Sequence, residues 1–437
     1  MSNPRQIAFE ALMKTQRDTA FSNLTIDGAL SKSNLDTRDK SFVSNLFYGV
    51  IERQLTIDYQ LSRYLSKPLK KLKPEVLTIL RLGAYQILFM DKVPDSAAVN
   101  ESIKLSKKNG ASYASGLINA VLRKVSLNGV VLPENNDSAD FLSVKFSCPC
   151  WLVEKWIREY GYEDTAAFLE SSVGSADTFI RVNTTKISDD ELMDILIAEG
   201  IECEKTYNDH TLKISLKGHD IEKLDSFIKG YYHVQDIASQ LCAKALKAKE
   251  NDIVFDLCSA PGGKAYTVAE TMNDNGRVLC FDIYENRVKL IVSGAKRLGL
   301  SSIEGRVGDA SVYNAELGLA DKVLCDVPCS GLGIIRRKPE IKYKSEAELA
   351  DLPDIQYAIV DNASKYVRKG GRLIYSTCTL SKAENEDVVA KFLENHSDFR
   401  SAPLFSDGGS CTITLMPHKN QSDGFFIACF ERDDKND

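Results

Sequence analysis

Apolar residues recur at three- and four-residue spacings through the first 127 positions, over Pro4–Thr15, Leu46–Leu65, Pro74–Phe89 and Ser96–Lys108. That periodicity predicts amphipathic helices, and strand-like alternation is absent. Asp36 and Pro74 stand where helix starts place such residues. Residues 128–147 carry Gly, Pro and the polar run Glu134-Asn135-Asn136-Asp137, the composition of a linker. From 148 to 235 the pattern mixes. Helices are predicted over Trp151–Leu169 and Asp189–Glu199, and strands over Phe179–Asn183 and Leu212–Leu216. From 236 onward, short buried runs at Ile253–Cys258, Val278–Ile283, Ile303–Val307, Lys322–Val327 and Arg372–Ser376 alternate with helical stretches. Such alternation predicts a parallel sheet covered on both faces. The expected fold is therefore multidomain. An all-α domain (1–127) and a linker (128–147) precede a small α+β domain (148–235) and an α/β Rossmann-like domain (236–437). The closing ERDDKND is expected to be a frayed polar tail.

The 437-residue length suits this division, at roughly 100–200 residues per domain. Apolar runs are far shorter than the ~18 residues of a membrane span, and the first residues lack a basic-then-apolar signal pattern. A cytosolic location without membrane contact is expected. Eleven cysteines, an odd number without C-x-x-C spacing, argue against a disulfide framework and against a metal site. Cys148 and Cys150 flank a proline and are too close for the usual ligand spacing. The net charge of −6 looks wrong for a nucleic-acid binder. Its distribution changes that view: the first 130 residues hold 19 Lys/Arg against 11 Asp/Glu, leaving the remainder acidic. A basic lobe of this kind is compatible with RNA binding.

Ligands of a doubly wound sheet sit at the carboxyl ends of its strands. The first predicted strand ends in Asp256-Leu-Cys-Ser-Ala-Pro-Gly-Gly-Lys264 and runs into a helix. Cys258, Ser259, Ala260, Pro261, Gly262, Gly263 and Lys264 thus form a turn whose glycines let backbone approach a ligand. It is not a P-loop, which requires Gly at 258 and Ser or Thr at 265, nor a G-x-G-x-x-G turn. The second strand ends in Asp282, about 20 residues beyond Gly262, where a carboxylate can accept ribose hydroxyls. The third ends in Gly308-Asp309-Ala310, placed to meet an adenine amino group. A ribose-and-adenine ligand without a phosphate grip points to S-adenosylmethionine.

The fourth strand ends in Asp326-Val-Pro-Cys329 and the fifth in Tyr375-Ser-Thr-Cys378. Two cysteines beside a methyl donor suggest covalent catalysis. Carbon 5 of cytosine is a poor nucleophile until a thiolate adds to carbon 6. Asp326 is the candidate for assisting ring N3. Lys264, with the cofactor's sulfonium, is the candidate for favouring the thiolate.

The blocks DLCSAPGGK, FDIYENR, GDA, DVPCSGLG and YSTCTLSKAENE resemble those of the RNA cytosine-C5 methyltransferases. The N-terminal segments RDKSFVSNLFYGVIER, LRLGAYQILFM and SGLINAVLRK resemble a NusB-like RNA-binding domain. With Arg181-Val-Asn183 and Val234–Gln240 between, the chain is similar to bacterial 16S ribosomal RNA enzymes of the Sun/Fmu type over nearly its whole length. Arg336-Arg337-Lys338-Pro339 follows the Pro-Cys block as in that family.

The resemblance implies Cys378 as nucleophile and Cys329 as the residue assisting product release. It also implies 258–264, Asp282, Asp309 and Asp326 as cofactor ligands, and 16S ribosomal RNA as the partner of a monomer. DNA cytosine methyltransferases use the Pro-Cys cysteine as nucleophile, so chemistry alone does not assign the two roles. A DNA enzyme would carry a long target-recognition insertion, which is missing from the α/β section. A non-catalytic RNA-binding factor would need neither the carboxylates nor the cysteine pair.

Overall fold

The structure, a computed structural model, describes residues 3–18, 22–406 and 408–434. Contacts divide the chain into two compact units, Met1–Val173 with Lys338–Tyr343, and Gly174–Arg337 with Lys344–Asp437.

The first unit is helical: α1 (Pro4–Asp18), α2 (Ser22–Ser31), α3 (Thr37–Glu52), α4 (Gln54–Ser62), α5 (Pro74–Phe89), α6 (Asp95–Lys108), α7 (Ser115–Asn128), α8 (Ala139–Phe146), α9 (Cys150–Tyr160) and α10 (Tyr162–Ser171). The Asp36 side chain caps α3 by accepting from the Asp39 N–H at 2.7 Å, and Pro74 opens α5. Helix α5 is buried on most of its surface and forms the centre of the core. Any Cβ at Gly83 would lie 2.5 Å from Leu122 and 2.7 Å from Ser102, so glycine there lets α6 and α7 pack close.

Two long predicted helices are each split. Leu46–Leu65 breaks at Arg53 (φ −101°, ψ 13°), where no Gly or Pro warns of it. Trp151–Leu169 breaks at Gly161 (φ 85°), folding back so that Trp156 meets Phe168 edge to face at 4.8 Å. Within 128–147, the stretch with linker composition, Ser138 caps α8 by accepting from the Phe141 N–H at 3.1 Å. Leu142 and Phe146 of that helix are buried. The polar run there ends in a helix cap.

Residues 338–343 complete this unit from far along the chain. Pro339 and Lys342 are buried. Lys342 Nζ donates to the Glu52 carbonyl at 2.7 Å, and the Tyr343 hydroxyl donates to the Ile51 carbonyl at 2.8 Å. Burial pulls the Lys342 ammonium down to about 8.

The second unit begins with a small antiparallel sheet: β1 (Thr178–Val182), β2 (Glu202–Lys205), β3 (Thr211–Ser215) and β4 (Tyr232–Val234), in the order β2-β3-β1-β4. Leu192 and Leu196 of α11 (Asp189–Ala198) pack with Ile180, Val182, Leu212 and Tyr232. A short α12 (Asp225–Ile228) precedes β4. Strand β2 carries no sequence signal because Glu-Cys-Glu-Lys is a mostly exposed edge.

After α13 (Ile237–Ala245) comes the main sheet. Its elements are β5 (Ile253–Asp256), α14 (Gly263–Thr271), β6 (Arg277–Asp282), α15 (Glu285–Leu298), β7 (Ile303–Val307), β8 (Ala320–Asp326), α16 (Glu346–Leu349), α17 (Leu352–Ser364), β9 (Val367–Thr377) and α18 (Glu386–Asn395). Strands β10 (Phe399–Ser401), β11 (Thr412–Leu415) and β12 (Phe425–Arg432) end it. Strand order is β10-β12-β9-β8-β5-β6-β7, with β11 also on β12. From β7 to β9 the pairs are parallel, whereas β12 runs antiparallel to β9. The predicted all-parallel sheet is thus mixed.

The predicted tail is partly ordered too: Glu431 and Arg432 belong to β12, and the Asp433 N–H donates to the Asp398 carbonyl at 2.8 Å. Residues 435–437 lie outside the described residues. Successive residues of each central strand feed opposite faces. Val254, Val278, Leu324 and Ile374 join α13, α14 and α15, while Phe255, Leu279, Val323 and Leu373 join α17 and α18. No described helix is long and apolar enough to cross a membrane.

The antiparallel extension is riveted by Arg372, which is buried. Its guanidinium donates to the carbonyls of Ala245 (2.9 Å), Pro403 (2.5 Å) and Leu404 (3.1 Å) and pairs with Glu431 at 3.0 Å. Arg372→Met should destabilise this unit by about 2–4 kcal/mol, because three carbonyls lose their donor. Urea unfolding followed by hydrogen exchange in β9 and β12 tests this, and an unchanged midpoint would show that the carbonyls find other partners.

Candidate active site

The strand order reverses at β5, whose neighbours are β6 on one side and β8 on the other. Such a switch opens a crevice at the carboxyl ends of the strands. The turn 257–262 leaves β5 there. The Ser259 N–H donates to the Phe281 carbonyl at 2.8 Å, tying the turn to β6. Gly262 adopts φ 110°, and a Cβ on it would lie 2.4 Å from the Tyr266 ring. The Tyr266 hydroxyl in turn donates to the Pro261 carbonyl at 2.9 Å. Glycine is required here on two counts, conformation and space.

Asp256, at the end of β5, is buried; the Ser259 hydroxyl and the Cys258 N–H face its carboxylate, but neither oxygen is in a well-formed hydrogen bond among the described residues. Burial pushes its carboxyl up to about 7. Asp282 ends β6, also buried. One oxygen accepts from the Tyr284 N–H at 3.0 Å and the other pairs with Arg287 at 3.1 Å. Asp309 follows β7, exposed, and accepts from the Ser311 N–H and hydroxyl at 2.9 and 2.7 Å, which holds its carboxyl below the usual range. Cys258 is half-buried, its thiol pushed up by burial and by the carboxylates around it.

At the end of β8, Asp326 receives the Lys264 ammonium at 2.6 Å and the Ser376 hydroxyl at 2.8 Å. Burial works against charge on Lys264, but the carboxylate outweighs it and its pKa is raised. Lys264 thus stays a cation, directed at Asp326. Beyond Asp326 lies Cys329, and at the end of β9 lies Cys378, with the two sulfurs 3.3 Å apart. The Cys378 sulfur and burial together push the Cys329 thiol well up, with Glu384 and Asp326 adding to the effect. Cys329 is therefore held protonated, and either sulfur can be the donor of the pair.

Several residues that fix this pair went unassigned in the sequence. Glu384, buried, accepts from the Ser330 N–H at 2.8 Å and from Gln356 Nε2 at 2.9 Å, and Gln356 also donates to the Pro328 carbonyl at 3.0 Å. The Ser330 and Thr379 hydroxyls meet at 2.7 Å. Asn385 donates to the Thr379 carbonyl at 3.0 Å and accepts from the Thr377 hydroxyl at 2.6 Å. Gly333 donates its N–H to the Cys378 carbonyl at 3.0 Å, and a Cβ there would lie 2.0 Å from the Gly424 carbonyl. The signal was present in the block YSTCTLSKAENE, but pairing across 54 residues is invisible along the chain.

Comparison with known proteins bears on this arrangement. The model of the 16S rRNA methyltransferase RsmB/F matches residues 243–431, that of the NusB family 2–127, and that of the RsmF/B-like ferredoxin-like domain 148–218. The probable ribosomal RNA small subunit methyltransferase B of Bacillus subtilis is 36% identical, with 98% of each chain covered. The chain belongs to the RsmB/F family of 16S rRNA methyltransferases. The Synechocystis protein described in the same words is 34% identical over 98% of this chain and 99% of its own. A crystal structure of the protein PH0851 is 27% identical, with a TM-score of 0.82 and 99% of each chain covered. NSun6 from Pyrococcus horikoshii shares the fold at 23% identity, with a TM-score of 0.60 over 66% of this chain and 99% of its own. Family membership accounts for the helical, ferredoxin-like and α/β sections found together in one chain.

Asp256 has a consequence for stability. An ordinary aspartate ionises near pH 4, while the folded carboxyl does so near 7. Between those values the folded chain binds more protons than the unfolded one, so stability falls as pH rises through the window. Asp256→Asn should remove that slope and raise the melting temperature at pH 7.5. A melting profile between pH 4 and 8 that is the same in both proteins would overturn the assignment.

Proposed function

We propose that the chain transfers a methyl group from S-adenosylmethionine to carbon 5 of a cytosine in 16S ribosomal RNA, through a covalent bond between Cys378 and carbon 6. In this reading residues 1–127 engage RNA and 236–437 carry the chemistry. The observation that carries it is the sulfur pair of Cys329 and Cys378, 3.3 Å apart at the ends of neighbouring strands.

The residues present fit the cofactor. The orphaned Asp256 carboxylate offers acceptors to a cationic or N–H-bearing group, and the 258–264 turn offers backbone at close range. Asp282 and Asp309 offer acceptors for hydroxyl and amino groups, and Asp326 borders the reacting end. S-adenosylmethionine, when bound, supplies the electrophilic methyl group that carbon 5 takes. The Cys378 thiol gives its proton to water and its sulfur bonds to carbon 6; the C5=C6 pair shifts to C4=C5, and the C4=N3 pair moves onto ring N3, which takes a proton from water. Asp326, paired with the Lys264 ammonium at 2.6 Å, accepts a hydrogen bond from the protonated ring N3. Once Cys378 is bonded to carbon, the main cause that keeps Cys329 protonated is gone. Cys329 loses its proton to water and takes the one on carbon 5. The C5=C6 bond re-forms, the N3 proton goes to water, and Cys378 leaves as thiolate.

The two cysteines should therefore fail differently. Cys378→Ala should form no covalent RNA adduct. Cys329→Ala should transfer methyl and then stall as a protein–RNA adduct that survives denaturing electrophoresis. Incubation of each variant with 16S rRNA and cofactor tests this. A band from Cys378→Ala alone would reverse the roles, and full activity in both would remove covalent catalysis.

The strand-end carboxylate at 282 should matter for cofactor affinity. Because Asp282 also caps a turn, Asp282→Asn is the cleaner probe. It should weaken S-adenosylmethionine binding by about 1.5–3 kcal/mol, the range for charge-assisted hydrogen bonds. Unchanged affinity by calorimetry, with the fold intact, would rule out the ribose assignment.

A further inference from the structure

Between Asp58 and Glu75 the chain carries five cations, Arg63, Lys67, Lys70, Lys71 and Lys73, and no carboxylate. The segment links α4 to α5. Leu65, Leu69 and Leu72 pack against the helical core, with a short 3-10 turn over Leu69–Lys71. The turn's spacing sends the leucines inward and leaves Lys70, Lys71 and Lys73 exposed. These lysines are displayed on an anchored turn between Pro68 and Pro74. Among the described residues, the ion pairs of this unit lie elsewhere, at Arg53–Glu52, Arg81–Asp58, Lys104–Glu101 and Lys155–Glu159.

Two cation–π contacts bring further groups against this segment. Lys73 lies 5.2 Å from the Tyr113 ring, which is 63% exposed. Lys124, exposed on α7, lies 6.0 Å from the Tyr64 ring. Helix α5 begins here too, with no side chain capping its N-terminus and Glu75 in its first turn partly offsetting the dipole's positive end. Interleaved cations and an exposed aromatic ring match an unpaired RNA strand: cations for phosphates, and Tyr113 for a stacked base.

We infer that this face, built from 63–73, Tyr113 and Lys124, is where the helical unit holds single-stranded ribosomal RNA. The inference rests on the RNA methyltransferase reading above and gives it a surface. The test uses the full chain, a 16S rRNA transcript and fluorescence anisotropy over a series of KCl concentrations. Lys70→Glu with Lys71→Glu should raise Kd about tenfold or more near physiological salt. It should also flatten the slope of log K against log salt by about 1.4, as expected for two lost contacts to a single strand. Methyl transfer at limiting RNA should fall in step with the lost affinity.

The control is Lys32→Glu with Lys92→Glu, the same charge change placed elsewhere. Lys92 lies past the far end of α5, about 24 Å along that helix from Lys73. The control should leave the slope near wild type. If the Glu pair disturbs folding, Lys70→Gln with Lys71→Gln should still flatten the slope. Tyr113→Ala should weaken binding about tenfold without changing the slope, and Tyr113→Phe should keep affinity. Equal affinity and slope in wild type and the 70/71 variants would overturn the surface while leaving the enzyme reading intact. Wild type that neither binds nor methylates the transcript would remove both.

Discussion

Two cysteine sulfurs 3.3 Å apart stay in register only if the backbone on both sides is fixed, because each belongs to a loop beyond a strand end. Glu384 meets that demand. One buried carboxylate takes the Ser330 N–H and Gln356, and Gln356 reaches back to the Pro328 carbonyl, so the Pro-Cys loop is held from both sides of Cys329. The Gly333–Gly424 approach does the same from the other direction, with the Gly333 N–H on the Cys378 carbonyl. This bracing needs β12 beside β9, which makes the antiparallel extension part of the site's foundation.

The charges around the pair follow a common logic. Buried ionisable groups are stable only when paired or neutral. Lys264 and Asp326 satisfy each other at 2.6 Å, and Ser376 takes the second carboxylate oxygen. Asp256 has no such partner among the described residues, and its carboxyl responds by holding its proton to about pH 7. A site that keeps one buried carboxyl unpaired is less stable than it could be, and the shortfall is what a ligand can recover on binding.

The parallel core of the sheet was legible because strands buried on both faces read as short apolar runs between helices. The strand-end positions of the candidate site residues were legible because the topology places each strand end in one crevice. What escaped was of three kinds. Edge strand β2 has no apolar face to announce itself. The turn at Arg53 and the left-handed Gly161 interrupt helices whose apolar spacing reads straight through. Glu384 and Gln356 act through pairs 28 to 54 residues apart in sequence, while Asn385 acts on the neighbouring Thr377 and Thr379 with a residue type that is ordinary at a helix start. The cap at Ser138 shows the reverse error, since polar residues that end a loop and begin a helix have linker composition.

The completion of the helical unit by Lys338–Tyr343 carries a consequence for how the protein comes into being. When Val173 has been synthesised, the backbone carbonyls of Ile51 and Glu52 still lack the donors that Tyr343 and Lys342 bring. Those residues are made about 170 positions later, which at roughly 5–20 residues per second is about 10–35 s of translation. Throughout that interval the contacts that Pro339, Lys342 and Tyr343 make with the helical unit are not yet available. The final closure of its first unit thus falls after the Pro-Cys segment has left the ribosome, so the earliest residues of the chain are not the earliest to reach their finished form.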